Sequence, residues 1–257
     1  NPSFNGQAPE PLHKNLLEFS NLIKNSTDIH FGFANDGDAD RIGCYDSDGN
    51  FIDSHHVILL LIHYLHKYKG LNGKVAISFT VSDKVKLLCD AYNLPCEVTP
   101  VGFKDVCEIM VNEDALVGGE ESGGIAIKGH IPERDGVWMA LVLMEFMAKT
   151  GKTIQELIQE VYAIVGTFDY DRYDLHITEA VKQKVIENCK NDAYKNFGKY
   201  TIERTEAIDG WKYFLPDGAW TMIRASGTEP VLRVYGQAKD RTAVIDLLDT
   251  VKATLLG

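Results

Sequence analysis

The sequence predicts an α/β unit followed by a smaller α+β unit, and three observations lead to this prediction. Patterns typical of strands and of helices alternate from about residue 30 to about residue 165, as in a layered α/β domain. The composition changes at Gly166, beyond which strand-like segments rich in Tyr and Phe predominate. The length of 257 residues suits one large domain or two smaller ones, with room for part of a third.

The first fifty residues predict a loop, a helix and three short strands. A stretch rich in Pro, Gly and Asn ends at Pro11, and apolar residues then recur on one helical side over 12–23. Short apolar runs predict strands at 30–34, 41–45 and 50–53. The step from Asp48 to Gly49 between the last two strands is typical of a hairpin turn.

The next segment predicts an interleaved α/β layer. Helices are expected at 54–69, from Ser82 with its hydroxyl as the cap, and at 104–110, 135–150 and 154–165. Strands are expected at 74–80, 96–99, 115–118 and 124–128. Trp138, Trp211 and Trp220 are expected in the core or at a domain interface rather than as a base-stacking surface.

Beyond Gly166 the pattern predicts helices on one face of an antiparallel sheet. An alternating strand is expected at 167–177, a helix at 179–189 and several strands between 200 and 236. An amphipathic helix from Arg241 closes the chain.

Composition and charge indicate a soluble globular protein that binds a small molecule. Hydrophobic residues make up 45% and charged residues 25%, which excludes disordered and collagenous classes. With 26 basic and 37 acidic residues the net charge is −11, so the surface repels nucleic-acid backbones, although a local basic pocket for a small anion is compatible with it.

Cysteine usage and hydropathy predict a cytoplasmic location. The five cysteines form no C-x-x-C pair, which argues against a disulfide framework and a zinc ribbon. The longest apolar run, 57–62, is far shorter than the roughly 20 residues that cross a bilayer. The first residues carry no signal-peptide pattern.

Three aspartates alternate with small residues after the first predicted strand, and they predict a cation site. They are Asp36, Asp38 and Asp40. In an extended strand they would lie about 6.6 Å apart, too far to share an ion held at about 2.1 Å, so the loop is expected to curl at Gly37 and Ala39. Three carboxylate oxygens with open positions suit Mg²⁺. The alternative is a solvated acidic turn.

A phosphate clamp is predicted in segment 224–230, which reads RASGTEP between two apolar strands. The donors are an Arg fork, two hydroxyls and backbone N–H groups, contributed by Arg224, Ser226, Gly227 and Thr228. The sequence contains no Walker loop, so nucleotide hydrolysis of that type has no support. The alternative is a hairpin with incidental hydroxyls.

Segment 118–124, which reads GGEESGG, predicts a loop that binds a sugar. Glycines let the backbone approach a ligand, and Glu120 beside Ser122 suits hydrogen bonding to vicinal hydroxyls. A pair of carboxylates for acid–base chemistry and a flexible surface loop are alternatives. Four cationic side chains nearby can offset substrate charge, namely Lys104, Lys128, His130 and Arg134.

In this order, segments 36–41 (DGDADR), 119–123 (GEESG) and 224–230 (RASGTEP) resemble the α-D-phosphohexomutase superfamily of phosphoglucomutases and phosphomannomutases. Segments 99–104 (TPVGFK) and 129–136 (GHIPERDG) extend the resemblance over nearly the whole chain. The family has three similar α/β domains and a TATA-binding-protein-like C-terminal domain around a cleft. The resemblance implies the C-terminal part of domain 2 at 1–50, domain 3 at 51–163 and domain 4 at 164–257.

The resemblance further implies a C-terminal fragment of an enzyme. The family's phosphoserine lies in a Ser-His-Asn-Pro context, which does not occur in this sequence. The implied reaction interconverts hexose 1-phosphate and hexose 6-phosphate of glucose, mannose or both, through the phosphoserine and a hexose 1,6-bisphosphate. One Mg²⁺ and the N-terminal domains of the same protein are implied partners, and the fragment alone is expected to be inactive.

The family's roles carry over to matching residues. The implied metal ligands are Asp36, Asp38 and Asp40, and the implied catalytic residues are Arg41 and His130. The implied substrate contacts are Lys104, Glu120, Ser122, Arg134, Arg224, Ser226, Gly227 and Thr228.

One position departs from the family pattern. Gly124 occupies the place where some phosphomannomutases carry a His, so the proton-transfer role passes either to His130 or to the missing domain. Glu120 and Ser122 would contact hydroxyls that glucose and mannose share, which leaves the sugar open. A non-catalytic phosphosugar-binding module is an alternative, as is a phosphoglucosamine mutase, which Glu121 disfavours.

Overall fold

The computed structural model describes residues 4–6, 8–226 and 231–257. The chain divides into two compact units, Asn1–Gly166 and Thr167–Gly257. The composition changes at the same point. No described helix is both long enough and apolar enough to cross a membrane.

The first unit begins with a short helix and a small antiparallel sheet. The helix is α1 (Leu17–Lys24), and the sheet has the strand order β1 (Phe31–Asn35), β2 (Ile42–Asp46), β3 (Phe51–Ile52). The helix predicted from residue 12 is wrong at its start, since a 3₁₀ turn occupies His13–Asn15. The Asn15 side-chain amide donates to the Glu10 carbonyl at 3.1 Å, and this local bond competes with the α-helical pattern.

The rest of the first unit is a four-stranded sheet with helices. Its helices are α2 (Ser54–His63), α3 (Lys84–Tyr92), α4 (Phe103–Asn112), α5 (Gly136–Thr150) and α6 (Ile154–Val165). Its strands are β4 (Lys74–Ser78), β5 (Cys96–Thr99), β6 (Ala115–Gly119) and β7 (Ile125–Ile127), in the order β5-β4-β6-β7. Strand β4 runs parallel to β5 and β6, and β7 is antiparallel to β6. This arrangement confirms the predicted α/β layer.

Two helix starts in this unit follow the sequence closely. Asp53 caps α2 by accepting from the His56 N–H at 3.0 Å, and a π-helical turn, Tyr64–Tyr68, extends that helix. Ser82 accepts from the Lys84 N–H at 3.1 Å, so its hydroxyl binds the first residue of α3 although the helix begins two residues later than predicted.

The second unit confirms the predicted α+β arrangement. Its strands are β8 (Asp169–His176), β9 (Asn196–Phe197), β10 (Tyr200–Thr201), β11 (Arg204–Glu206), β12 (Trp211–Phe214), β13 (Trp220–Ala225) and β14 (Val231–Ala238), and its helices are α7 (Glu179–Lys190) and α8 (Arg241–Leu256). Five strands form an antiparallel sheet in the order β11-β12-β13-β14-β8. One side of α8 is buried with this sheet in a common apolar core.

The tryptophans differ in how deeply they are buried. Trp220 is fully buried in the second unit, as expected. Trp138 is 38% exposed, so it is not a core residue, and a position at a domain interface stays a prediction for it. Its ring stacks on His130, with centroids 4.6 Å apart and an interplanar angle of 16°.

Candidate functional site

The loop between β1 and β2 curls, as the sequence analysis expects, and we call residues 36–40 the Asp loop. The Asn35 side-chain amide donates to the Arg41 carbonyl at 2.8 Å and closes the base of the loop. Ala39 adopts a left-handed conformation with φ +63°, which turns the chain back on itself. One oxygen from each of Asp36, Asp38 and Asp40 therefore lies within 4.8 Å of the others.

Arg41 holds the first carboxylate of the Asp loop. Its backbone N–H donates to Asp36 Oδ1 at 3.1 Å and its Nε donates to Oδ2 at 2.6 Å. Burial of Asp36 opposes its ionisation, but the bonds from Arg41 outweigh burial and lower the pKa of the carboxyl. Burial and the neighbouring Asp36 carboxylate raise the pKa of Asp40, and Arg134 offsets part of that rise. The neighbouring carboxylates thus oppose the ionisation of Asp40, which a bound cation would relieve.

The donor set fits Mg²⁺. Octahedral ligands at about 2.1 Å from an ion lie about 3 to 4 Å apart, close to the spacing that the three carboxylates allow. Hard carboxylate oxygens are the ligands that Mg²⁺ prefers, and it commonly keeps open positions for phosphate and water. Within the described ranges, this is the one group of three or more His, Cys, Asp or Glu side chains with such geometry.

The loop predicted to bind a sugar, residues 118–124, is joined to the strand that follows the Asp loop, and we call it the sugar loop. The Gly123 carbonyl accepts from the Ile42 N–H at 3.1 Å, and Gly124 forms a bridge with Arg41. Gly123 has φ +97°, and a Cβ there would lie 2.6 Å from the Ile42 carbonyl oxygen, so only glycine fits. Two loops that are about 80 residues apart in sequence are therefore neighbours in the fold.

Glu120 is the buried carboxylate of the sugar loop. It is 6% exposed, and its Oε1 accepts from the Gly102 N–H at 3.1 Å. Burial raises its pKa, and the Arg134 charge and the Gly102 N–H offset part of that rise. The Ser54 hydroxyl at the start of α2 donates to the Glu121 carbonyl at 2.6 Å and fixes the loop backbone, while Ser122 is half-buried.

Arg134 connects the Asp loop with the sugar loop. Its Nη2 lies 2.8 Å from Asp40 Oδ2 and its Nη1 lies 3.8 Å from Glu120 Oε2. The guanidinium also lies over the Phe103 ring, 5.3 Å from its centroid. The two ionic contacts place a fixed positive charge between Asp40 of the Asp loop and Glu120 of the sugar loop.

His130 is held by a carboxylate at the start of α5. Its Nε2 donates to Asp135 Oδ2 at 2.8 Å, while Asp135 Oδ1 caps the helix by accepting from the Trp138 N–H at 2.9 Å. The next residue, Gly136, donates its N–H to the Ala39 carbonyl of the Asp loop at 3.0 Å. His130 is thus tied to a helix terminus that contacts the Asp loop.

The predicted phosphate clamp lies in the second unit, at the end of β13. The Arg224 Nε and Nη2 atoms lie 3.2 and 3.1 Å from Asp209 Oδ2. Ser226 is buried, and its carbonyl accepts from Lys182 Nζ of α7 at 2.8 Å. Gly227 and Thr228, which the sequence analysis assigns to the same clamp, lie outside the described residues.

A second arginine faces Arg224. The strand register pairs Arg224 of β13 directly with Arg233 of β14. Like charges directly opposite each other destabilise a sheet, so the pair indicates a site for an anion. The Arg233 Nε is buried and makes no hydrogen bond with the described residues; its nearest carboxylate, Asp174, is 3.8 Å away.

The structure brings most of the residues predicted in the first unit together and adds several that the sequence analysis missed. Hydrogen bonds or ion pairs join the Asp loop, Arg41, the sugar loop and Arg134, whereas Lys104 is exposed in the first turn of α4 and forms no ion pair within the described ranges. The missed residues that hold site groups are Asn35, Gly102, Asp135, Gly136, Lys182, Asp209 and Arg233. Of these, the Asp-Gly pair at 135–136 can be recognised in the sequence, because an Asp before an apolar helix is typical of a helix cap.

Comparisons with known proteins identify the family to which the chain is similar. Family models match residues 1–49 (phosphoglucomutase/phosphomannomutase, alpha/beta/alpha domain II), residues 53–165 (domain III of the same description) and residues 178–253 (its C-terminal domain). A crystal structure from Thermus thermophilus, provisionally assigned as a phosphomannomutase, superposes with a TM-score of 0.85 and 33% identity. That superposition covers 100% of this chain and 53% of the other.

Two curated relatives match at similar levels. A phosphoglucomutase/phosphomannomutase from Thermococcus kodakarensis is 29% identical over 246 residues, covering 96% of this chain and 51% of the relative. A phosphoglucosamine mutase from Rubrobacter xylanophilus is 34% identical over 217 residues, covering 83% of this chain and 44% of the relative. The chain therefore spans about half the length of the curated relatives it matches. Because three family models follow one another along it in domain order, the chain belongs to the phosphoglucomutase/phosphomannomutase superfamily.

Proposed function

We propose that the whole protein is a Mg²⁺-dependent phosphohexomutase that interconverts hexose 1-phosphate and hexose 6-phosphate of glucose, mannose or both. One observation carries the proposal. The three converging carboxylates of the Asp loop are joined, through the Gly123–Ile42 hydrogen bond, to a sugar loop with a buried glutamate. A cation site beside a carboxylate for sugar hydroxyls suits phosphoryl transfer to and from a sugar, where catalysis is mostly positioning and charge neutralisation.

In this proposal Asp36, Asp38 and Asp40 hold the Mg²⁺ ion, which when bound supplies neutralising charge for a phosphoryl group. Arg41 orients Asp36 through two hydrogen bonds and adds positive charge beside the same site. The phosphoserine and the hexose 1,6-bisphosphate intermediate belong to the proposed reaction of the whole protein. The serine lies outside this sequence.

The sugar loop holds the hexose ring. Glu120, fixed by the Gly102 N–H, accepts hydrogen bonds from ring hydroxyls, and Ser122 donates and accepts beside it. Burial keeps water away from Glu120, which strengthens each bond that it makes. Arg134 and Lys104 add positive charge for a phosphate, Arg134 from within the site and Lys104 from the start of α4.

His130 is the proposed proton-transfer residue of this chain. Asp135 accepts from Nε2, which leaves Nδ1 of the neutral ring as the atom that can take a proton. A base oriented by a carboxylate is the usual arrangement for general acid–base catalysis. Stacking on Trp138 fixes the plane of the ring. This assignment is one of the two alternatives that Gly124 leaves open in the sequence.

The phosphate that does not react is held in the second unit by Arg224, Ser226, Gly227 and Thr228. The arginine opposite, Arg233, supplies a further charge for the same anion. Asp209 holds the Arg224 guanidinium by two contacts to one oxygen, and a hydrogen bond with Tyr235 fixes it further.

The test is an activity assay on the whole protein. With MgCl₂ and a catalytic amount of glucose 1,6-bisphosphate, ³¹P NMR should show glucose 1-phosphate converting to glucose 6-phosphate. The 257-residue chain should bind glucose 6-phosphate without turnover, and Arg224→Ala should weaken that binding about tenfold. Binding by the whole protein without turnover would indicate a non-catalytic phosphosugar-binding module. Unchanged binding by Arg224→Ala would contradict both readings.

A phosphoglucosamine mutase is a second candidate, favoured by the 34% identity to the Rubrobacter xylanophilus relative. The two candidates differ at the sugar C2 substituent, so a substrate panel separates them. Glucosamine 1-phosphate turned over faster than glucose 1-phosphate and mannose 1-phosphate would identify the second candidate.

A further inference from the structure

One carboxylate of the Asp loop already has a cationic partner. Asp40 Oδ2 is bound by Arg134 Nη2 at 2.8 Å, whereas Arg41 Nε is 3.8 Å from Asp40 Oδ1. The Asp40 side chain is 19% exposed, so water screens this ion pair only in part. A divalent ion in the Asp loop would be a second positive charge for the same carboxylate. Arg134 and such an ion would repel each other across it.

Arg134 also lies close to Glu120 of the sugar loop and to Phe103 of α4. Its Nη1 is 3.8 Å from Glu120 Oε2, beyond a hydrogen bond, and its guanidinium lies over the Phe103 ring. Glu120 and Phe103 are thus already near the arginine side chain. A small rotation of the guanidinium therefore exchanges a bond to Asp40 for a bond to Glu120.

Gly124 makes the path of Arg134 possible. A Cβ at position 124 would lie 2.4 Å from Arg134 Cδ and 3.1 Å from its Cγ. Any larger residue there would displace the arginine stem from its position across the sugar loop. The glycine that departs from the family pattern is thus matched to the arginine ten residues later.

We propose that Arg134 and the divalent cation are alternative partners of Asp40, so that cation binding moves Arg134 from the Asp loop to Glu120 in the sugar loop. The inference rests on the proposed metal site. It adds that the metal and sugar loops are energetically coupled, and that Gly124 permits the coupling. Coupling of this kind is reciprocal: a ligand that favours the position of Arg134 at Glu120 strengthens cation binding by the same factor by which the cation strengthens binding of that ligand.

The experiment measures cation affinity directly on the 257-residue chain, with Mn²⁺ as the probe and free Mn²⁺ followed by electron paramagnetic resonance. Arg134→Gln removes the competing charge and should lower the Mn²⁺ dissociation constant about fivefold or more. Arg134→Lys keeps a positive charge and should stay closer to the wild type. Gly124→Ala should tighten binding with Arg134 still present, because the new Cβ displaces the arginine.

Lys149→Gln is the matched control for loss of one positive charge. Lys149 pairs with Glu145 near the last turn of α5, about 20 Å along the helix from Gly136. The Mn²⁺ dissociation constant of the Lys149→Gln protein should equal that of the wild type within about 1.5-fold. A second readout is the Arg134 Nε–Hε NMR resonance, which should shift during a Mg²⁺ titration of the wild type.

The outcomes separate this inference from the proposed function. Arg134→Gln binding Mn²⁺ with unchanged or weaker affinity would overturn the inference and leave the metal site standing, because Arg134 would then support Asp40 rather than compete for it. A wild-type chain that binds no Mn²⁺ would overturn the metal site and the inference together. If Lys149→Gln tightened Mn²⁺ binding as much as Arg134→Gln, the effect would come from the change in net charge, which would contradict the inference.

Discussion

The two units present opposite charges where each is expected to bind its ligand. In the first unit Asp36, Asp38, Asp40 and Glu120 lie near two arginines, Arg41 and Arg134. In the second unit Arg224 faces Arg233 across neighbouring strands, and Asp174 is shared between Arg233 and Arg172. Negative charge is in excess in one place and positive charge in the other.

Each ligand must supply the charge that offsets the excess charge in its unit. Grouped like charges cost free energy unless an ion of opposite sign joins them. The Asp loop therefore calls for a cation, and the paired arginines call for an anion such as a phosphate. A divalent ion carries the charge that the Asp loop calls for, and the phosphate of a phosphosugar carries the charge that the paired arginines call for.

The largest expected effect comes from removing one carboxylate of the Asp loop. Asp38→Asn leaves two carboxylates and an amide oxygen, which is a weaker ligand for a hard cation. Since changes to residues that only support metal ligands cost about 10- to 100-fold in affinity, loss of a ligand should weaken Mn²⁺ binding by about 100-fold. The same paramagnetic resonance titration measures it. Asp48→Asn, in the turn at the other end of β2, is the control, and equal losses of affinity in both variants would show that the Asp loop is not the cation site.

The next effect concerns the close approach between α5 and the Asp loop. A Cβ at Gly136 would lie 2.3 Å from the Asn35 side-chain nitrogen and 2.5 Å from the Arg41 carbonyl oxygen. Backbone cannot move aside cheaply, so Gly136→Ala should lower the free energy of unfolding by about 2 kcal/mol in a urea titration.

Gly236 in the second unit is the matched control. The three atoms nearest to a Cβ there are Leu248 side-chain carbons, at 3.0 to 3.7 Å, and a side chain gives way more readily than backbone. Gly236→Ala should therefore cost less than about 1 kcal/mol. A Gly136→Ala protein as stable as the wild type would show that the Asp loop does not depend on this contact.

The fold was largely predictable because its signals are local. Apolar periodicity and turn residues identified α2, the strands of the first sheet layer and the closing helix α8. The start of α1 was not predictable in this way, because the Asn15 side-chain bond to Glu10 overrides a helical pattern that continues through 12–16. The π-helical turn after α2 likewise leaves no mark on the apolar pattern.

The site was predictable only in part, for the same reason. The three aspartates and the Arg224 segment are short motifs that can be read directly. Their supports come from remote positions: Gly102 binds Glu120, and Asp209 holds Arg224. Such pairings depend on which loops the fold brings together, and a single sequence carries no local trace of them. Arg233 could have been found, since opposite strands of a hairpin place it across from Arg224.

A smaller effect tests whether acid sensitivity in the first unit arises away from the Asp loop. Burial opposes ionisation of Glu160, but hydrogen bonds from Lys152, His63 and Tyr68 outweigh it and lower its pKa below the ordinary glutamate value of 4.5. A carboxyl with a lowered folded-state pKa stabilises the fold above about pH 4.5, and this stabilisation is lost as the pH falls toward the lowered value.

Glu160→Gln should therefore lower the free energy of unfolding by about 1 to 2 kcal/mol at pH 7. The variant should also lose less stability than the wild type between pH 4.5 and pH 3. Urea titrations at the three pH values measure both effects. Glu108→Gln, an exposed change on α4, should shift the free energy by less than about 0.5 kcal/mol. A Glu160→Gln protein with the same pH dependence as the wild type would place the acid sensitivity elsewhere.

The smallest effect on stability is expected for Arg233→Gln, and this variant tests the excess positive charge of the second unit most directly. Removing a charge directly opposite Arg224 relieves a repulsion, so the free energy of unfolding should stay constant or rise by up to about 0.5 kcal/mol. Binding of glucose 6-phosphate, followed by NMR titration of the 257-residue chain, should nevertheless weaken several-fold, because the anion loses one of its two arginines. Arg241→Gln is the control, since Arg241 is an exposed arginine of the same unit that pairs with Asp171 at 2.5 Å. An arginine kept for the fold would lose stability on removal, whereas an arginine kept for a ligand loses binding alone. Reduced stability with unchanged binding in Arg233→Gln would assign the arginine pair to the sheet and leave the second unit without its excess charge.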